Sequence, residues 1–110
     1  SKLYQVNVQG REIHIPLKDI LYFEAGRHVT LIHTLTDTIS VTKVLSGICE
    51  DFEQNPEFIK VGRSYLVNRL YVRTVTQTDI EMMNSVIIPI PVRLQREIRQ
   101  QLTSEKFSKK

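Results

Sequence analysis

At 110 residues, with 41% hydrophobic and 25% charged residues, the chain has the size and composition of a single globular domain and is too short for two. Its longest apolar run, Val86 to Val92, is broken by Pro89 and Pro91, so no membrane span is expected. One cysteine, Cys49, cannot form an internal disulfide and suits a cytoplasmic, reducing setting. The net charge of +3 is unevenly placed: residues 1–55 hold 5 Lys and Arg against 7 Asp and Glu, and residues 56–110 hold 10 against 5. From Phe58 to Arg73 there are four cations, Lys60, Arg63, Arg69 and Arg73, and no acid. Such a run is the footprint of a face that meets a polyanion.

The first half of the chain reads as strands. Tyr4, Val6 and Val8 alternate with polar residues, Gln9–Gly10–Arg11 supplies a turn, and Ile13, Ile15 and Leu17 alternate again, which predicts a hairpin. Ile20 to Ala25 is apolar enough on both faces for a central strand, and Gly26 breaks it. Val29, Leu31, His33 and Leu35 share one face of the next strand, Thr36–Asp37 turns the chain, and Ile39 and Val41 follow among strand-favouring threonines.

From Thr42 the period becomes helical. Val44, Leu45, Ile48 and Phe52 define one face of a helix over 44–54, with Thr42 placed to cap it and Asn55–Pro56 to end it. Cys49, beside Ile48 and Phe52, reads as an inert core thiol. Strands return at Ile59, at Tyr65 to Val67, at Leu70 to Gln77, and in a hairpin Ile80–Met83/Val86–Ile90 about Asn84–Ser85. Pro91 is suited to the first position of a closing helix whose apolar stripe is Leu94, Ile98 and Leu102. Residues 104–110 are polar, and a frayed end is expected there. The expected fold is mainly β, antiparallel, with one short internal helix and a C-terminal helix.

Chemistry of an enzymatic or metal kind finds little support. His28 and His33, five apart on a strand pattern, point to opposite faces, and Cys49 lies on a helix, so no shared metal site is expected. Gly62–Arg63–Ser64 begins like a nucleophile elbow, but Leu66 stands where the second glycine is needed. No glycine-rich phosphate loop or paired carboxylate is present, and no enzyme activity and no cofactor are expected. Basic residues instead fall on connections: Arg27–His28, Arg63–Ser64, and Arg93 at the start of a helix. Arginine forks on loops carried by a rigid scaffold can neutralise phosphates and read guanine edges.

Three segments in order carry a family resemblance. "IPLKDILYFEAGRHVTLIHT", "FIKVGRSYLVNRLYV" and "IPIPVRLQREI" resemble the successive signatures of the LytTR family of bacterial DNA-binding domains, and together they extend over essentially the whole of residues 1–110. The resemblance implies an elongated, mainly β domain whose loops enter successive major grooves. It also implies transcription regulation at promoter sites, commonly as the effector of a two-component response regulator behind an N-terminal receiver domain, with dimers on paired sites. Carried over by position, His28, Arg63 and Arg93 match base-facing places, and Arg27, Lys60, Ser64, Arg69 and Arg96 match phosphate contacts. The chain departs from the family pattern at Gly62, where histidine is common, and at Val92, where serine is common; backbone N–H groups remain there to serve. Asn68 reads structurally, as a turn-former tying down backbone. The competing reading of these residues is a β-rich module that meets an acidic protein or ligand through its basic loops. Single-strand RNA binding is disfavoured, because an aromatic ladder on a sheet is missing.

Overall fold

The computed structural model describes residues 2–103; the frayed end expected over residues 104–110 lies outside them. The chain falls into two compact units, Ser1–Asn68 and Arg69–Lys110.

In the first unit, β1 (Leu3–Val8) and β2 (Arg11–Pro16) form the expected hairpin, with Val6 opposite Ile13. Its two-residue turn places Gln9 at φ 52° and Gly10 at φ 81°, the left-handed pair that matches the twist of the flanking strands. A five-stranded antiparallel sheet follows in the order β5-β4-β3-β7-β6. Its strands are β3 (Ile20–Ala25), β4 (Thr30–Thr34), β5 (Thr38–Val41), β6 (Phe58–Val61) and β7 (Tyr65–Asn68). β3 lies at the centre, and Ile20, Leu21, Tyr22 and Phe23 are all buried, as its two-sided apolar character requires. The helix α1 (Leu45–Asp51) packs Leu45 and Ile48 into a core shared with Val6, Ile15, Phe23, Ile32 and Leu66. Tyr4, Phe52 and Phe58 complete it, with Phe23 to Phe52 centroids 5.2 Å apart and Phe52 to Phe58 centroids 4.6 Å apart.

One expectation in this unit is completed and one is corrected. The buried face of β4 is formed by Thr30 and Ile32, both 0% exposed, whereas Leu31 and His33 on the opposite face are half-buried. Helix α1 begins one residue later than its apolar period indicates, because Val44 has extended backbone (φ −72°, ψ 154°) and its side chain leaves the helical face. Thr42 is thereby too far from the first turn to cap it, and the helix start has no side-chain cap.

In the second unit, β8 (Val72–Val75), β9 (Asp79–Met82) and β10 (Ile87–Pro89) form a three-stranded antiparallel sheet, followed by α2 (Gln95–Thr103). Ile80, Met82, Ile88, Ile90 and Ile98 are buried, and Leu94 and Leu102 flank Ile98 half-buried, so the expected stripe stands. The strand expected over Leu70–Gln77 is shorter: Arg69–Tyr71 is a 3-10 turn, and a register shift between Val72 and Thr74 interrupts the pairing with β9. Pro91 is not the first helical residue. It is extended (φ −54°, ψ 140°) and accepts from the Leu94 N–H at 2.9 Å, so a 3-10 turn over Val92–Leu94 leads into α2.

Two polar devices hold the first unit. Asn68, 1% exposed, donates from Nδ2 to the Ile20 carbonyl at 2.9 Å, which fixes the end of β7 against the start of β3. Asp51 Oδ2 accepts from Tyr4 Oη and from Lys43 Nζ, both at 2.7 Å, clamping the hairpin and the α1 approach together. Burial works to raise the Asp51 carboxyl, but the bonds from Lys43 and Tyr4 prevail and hold it below the ordinary carboxylate value; burial first, then Asp51, pushes the Tyr4 hydroxyl up.

Asn68→Ala is expected to destabilise the fold by about 1–3 kcal/mol, since it orphans a buried carbonyl; an unchanged urea midpoint would contradict the role. Because the native Asp51 carboxyl titrates lower than the unfolded one, its contribution is present above about pH 4 and is lost as pH falls through the native value. Asp51→Asn is therefore expected to lower the urea midpoint at pH 7 and to differ little from the parent chain at pH 2, a comparison that two denaturation curves per protein settle.

Candidate nucleic-acid interface

The antiparallel pairing of β3 with β4 and of β6 with β7 brings two short connections to one end of the five-stranded sheet. In the first, Ala25 pairs with Thr30, and the Gly26 N–H donates to the Val29 carbonyl at 2.8 Å, a tight loop that projects Arg27 and His28 into solvent. His28 is at φ 65°, the left-handed region that non-glycine residues seldom occupy and that functional loops retain. In the second, Val61 pairs with Tyr65, and Gly62, Arg63 and Ser64 make the turn. Gly62 is at φ 68° and is buried, a left-handed conformation that glycine adopts without the steric cost of a side chain. The Ala25 N–H donates to the Ser64 carbonyl at 2.8 Å and joins the two loops.

The result is a surface depression of about 370 Å³ that gathers His28, Lys60 and Arg63. Arg27 and Ser64 are exposed on the same two loops. Behind them Glu24 braces the strand: it hydrogen-bonds Tyr65 and accepts from His33 Nε2 at 2.8 Å. Burial, then the Glu24 charge, pushes the Tyr65 hydroxyl up. His33 stacks on Tyr22 with centroids 4.3 Å apart and is a structural residue, as its strand position indicates.

In the second unit, Arg93 is exposed on the 3-10 turn before α2. Arg96 lines a separate depression of about 410 Å³ with Val92 and Arg99. Arg69 lies half-buried in the turn that opens the unit. One cation of the basic run is structural. Arg73 donates to the Met83 carbonyl at 2.6 Å and pairs with Glu81 at 3.3 Å, pinning the β9–β10 turn. Among the described residues no ion pair engages Arg27, His28, Lys60, Arg63, Arg93 or Arg96. The charge of the five arginine and lysine side chains among them is therefore available to a polyanion. No group of three His, Cys, Asp or Glu among the described residues could hold a metal ion, and no helix among them is long and apolar enough to cross a membrane.

The model of the LytTR family, described as a LytTr DNA-binding domain, matches residues 10–103. The chain belongs to the LytTR family of DNA-binding domains. Among solved structures, it is similar to a LytTr DNA-binding domain from Bacillus cereus, described as part of a putative methyl-accepting/DNA response regulator, at a TM-score of 0.75 over 93% of this chain and 97% of that one. At 20% identity this likeness speaks to the fold, which is the mainly β, antiparallel LytTR arrangement. No curated protein matches the chain in sequence. A LytTR domain is a DNA-binding domain.

Sequence reading missed two members of the surroundings. Val44 was expected in the core and is instead exposed beside His28 and Lys60, and Arg99, which lines the second depression with Arg96, is absent from the candidate residues. Register at the helix start decides the first, and the helical phase from Arg96 could have given the second.

Two outcomes are expected of the isolated chain. Cys49 is half-buried against the core, and burial, opposed by the Lys60 charge, pushes its thiol up; it is expected to react with a thiol reagent many times more slowly in buffer than in urea, and equal rates would show an open site. His28→Gly relieves the left-handed backbone and is expected to leave the urea midpoint unchanged or to stabilise by up to about 1 kcal/mol. A loss of stability would show that the imidazole is packing rather than displayed.

Proposed function

We propose that this LytTR domain binds double-stranded promoter DNA in a sequence-specific manner, as the output domain of a two-component response regulator. The observation that carries the reading is the gathering around one depression of His28 and Arg63, on two loops joined by the Ala25–Ser64 hydrogen bond, with Lys60 of β6, none of them held by an acid within the described chain. The family match, which spans all the candidate residues, supports the same assignment.

In this reading His28, Arg63 and Arg93 face base edges, and Arg27, Lys60, Ser64, Arg69 and Arg96 contact phosphates. A bidentate arginine fork on guanine O6 and N7 discriminates by roughly 1–3 kcal/mol, whereas a lysine keeps the charge and loses the fork. Phosphate contacts fix register and orientation and release counterions. An N-terminal receiver domain and a second copy on a paired site are the partners this function calls for, and the bacterial cytoplasm is its place.

The test is a competition assay on a duplex selected from a random library by the chain itself, with single-strand and polyanion controls. Arg63→Lys and Arg93→Lys are each expected to retain non-specific affinity and lose roughly tenfold on the selected duplex. Lys60→Ala and Arg96→Ala are expected to weaken all duplexes alike and to lower the salt slope by about one unit. Base preferences that survive both lysine variants would make these arginines phosphate clamps. Binding to an acidic protein or to heparin with no preference for duplex would replace the reading by that of a general acidic-partner module.

A further inference from the structure

The depression between the two joined loops is lined by Val29 and Val44 as well as by His28, Lys60 and Arg63, and Val44 is 63% exposed. Its position is unusual in two respects. It is the residue before α1, where Ser, Thr, Asp or Asn ordinarily supplies a capping oxygen, and here no side-chain cap is made. It is also held in place: Thr30, itself fully buried, donates from Oγ1 to the Lys43 carbonyl at 2.7 Å, the Val44 carbonyl accepts from the Gly47 and Ile48 N–H groups at 3.1 Å, and Leu45 is anchored in the core. An isopropyl group is thus presented to solvent on well-anchored backbone, in a spot where a polar residue serves the helix better.

The cationic side chains of the lining select the partner's charge, and the apolar ones select something else. A partner that is anionic at its edge yet offers an apolar group at its centre is duplex DNA seen from the major groove, where the thymine 5-methyl is the apolar feature on the base edges. Phosphates meet the cations, and a methyl meets the exposed valine. We propose that Val44, supported by Val29, is a specificity-determining residue that reads a thymine 5-methyl group. The inference rests on the DNA-binding reading above and adds to it a residue outside the arginine and histidine set.

The experiment replaces thymine by deoxyuridine, one position at a time, in the duplex selected by the chain, which removes the methyl and leaves base pairing intact. At one position the parent chain is expected to bind the uracil duplex about fourfold more weakly, the change that burial of one methyl-sized group produces. Val44→Ser is expected to bind the thymine duplex more weakly and to show a thymine-to-uracil ratio near one at that position. It restores a capping residue, so its urea midpoint should equal or exceed that of the parent chain, which separates lost contact from lost folding. Full affinity with a ratio of one at every thymine in the parent chain would overturn the inference and leave DNA binding standing. So would a ratio that persists unchanged in Val44→Ser. Failure of the parent chain to retain any duplex would overturn the DNA-binding reading itself, and this inference with it.

Discussion

The placement of β3 between β4 and β7 is the constraint on which the rest of the first unit depends. A strand buried from Ile20 to Phe23 must have hydrogen-bonded neighbours on both edges and apolar cover on both faces, because unpaired backbone inside a core costs roughly as much as a lost hydrogen bond. Antiparallel neighbours meet that requirement and have a geometric result. The β3–β4 loop and the β6–β7 turn are delivered to the same end of the sheet, while Asn68 secures the opposite end by its bond to the Ile20 carbonyl. The basic loops can then be short, since the sheet, and not the loops themselves, sets their separation.

Charge is divided between two roles with little overlap. Lys43 and Arg73 are tied to Asp51 and Glu81 within the chain, where they brace a helix approach and a turn. The cations at the loop tips have no such ion pair among the described residues, and a partly exposed charge of that kind costs little in water while raising the local potential. The run from Lys60 to Arg73 therefore mixes roles: Arg73 is tied within the chain, whereas no ion pair among the described residues engages Lys60 or Arg63.

Much of the fold is legible in the sequence where period and burial agree. β3 is readable because apolar residues occupy both faces, and the β1–β2 hairpin because a turn signal separates two alternating runs. Asn68 is readable as a residue whose amide ties down backbone, although it does so as the last residue of β7, against the Ile20 carbonyl, and not within a turn. The loops are less legible. Nothing in the letters Arg27–His28 announces that His28 is left-handed, since only the tight Gly26–Val29 loop imposes it. Val44 fits the helical period as well as Leu45 does, yet the helix starts after it, and one residue of register moves a side chain from core to surface. Pro91 has the right φ for a helix start, but its ψ is set by the turn that follows, which the sequence does not display.

The hydrogen bond from Ala25 to Ser64 has a bearing on how such a domain changes over generations. Two loops that share a backbone bond are not independent carriers of information: a substitution that shifts one moves the carbonyl or the amide on which the other leans. Epistasis between the loops is thereby built into the scaffold. Substitutions that shift the backbone of one loop should therefore come with compensating changes in the other, and a lineage that alters one loop alone is confined to substitutions that leave the backbone of the other where it stands.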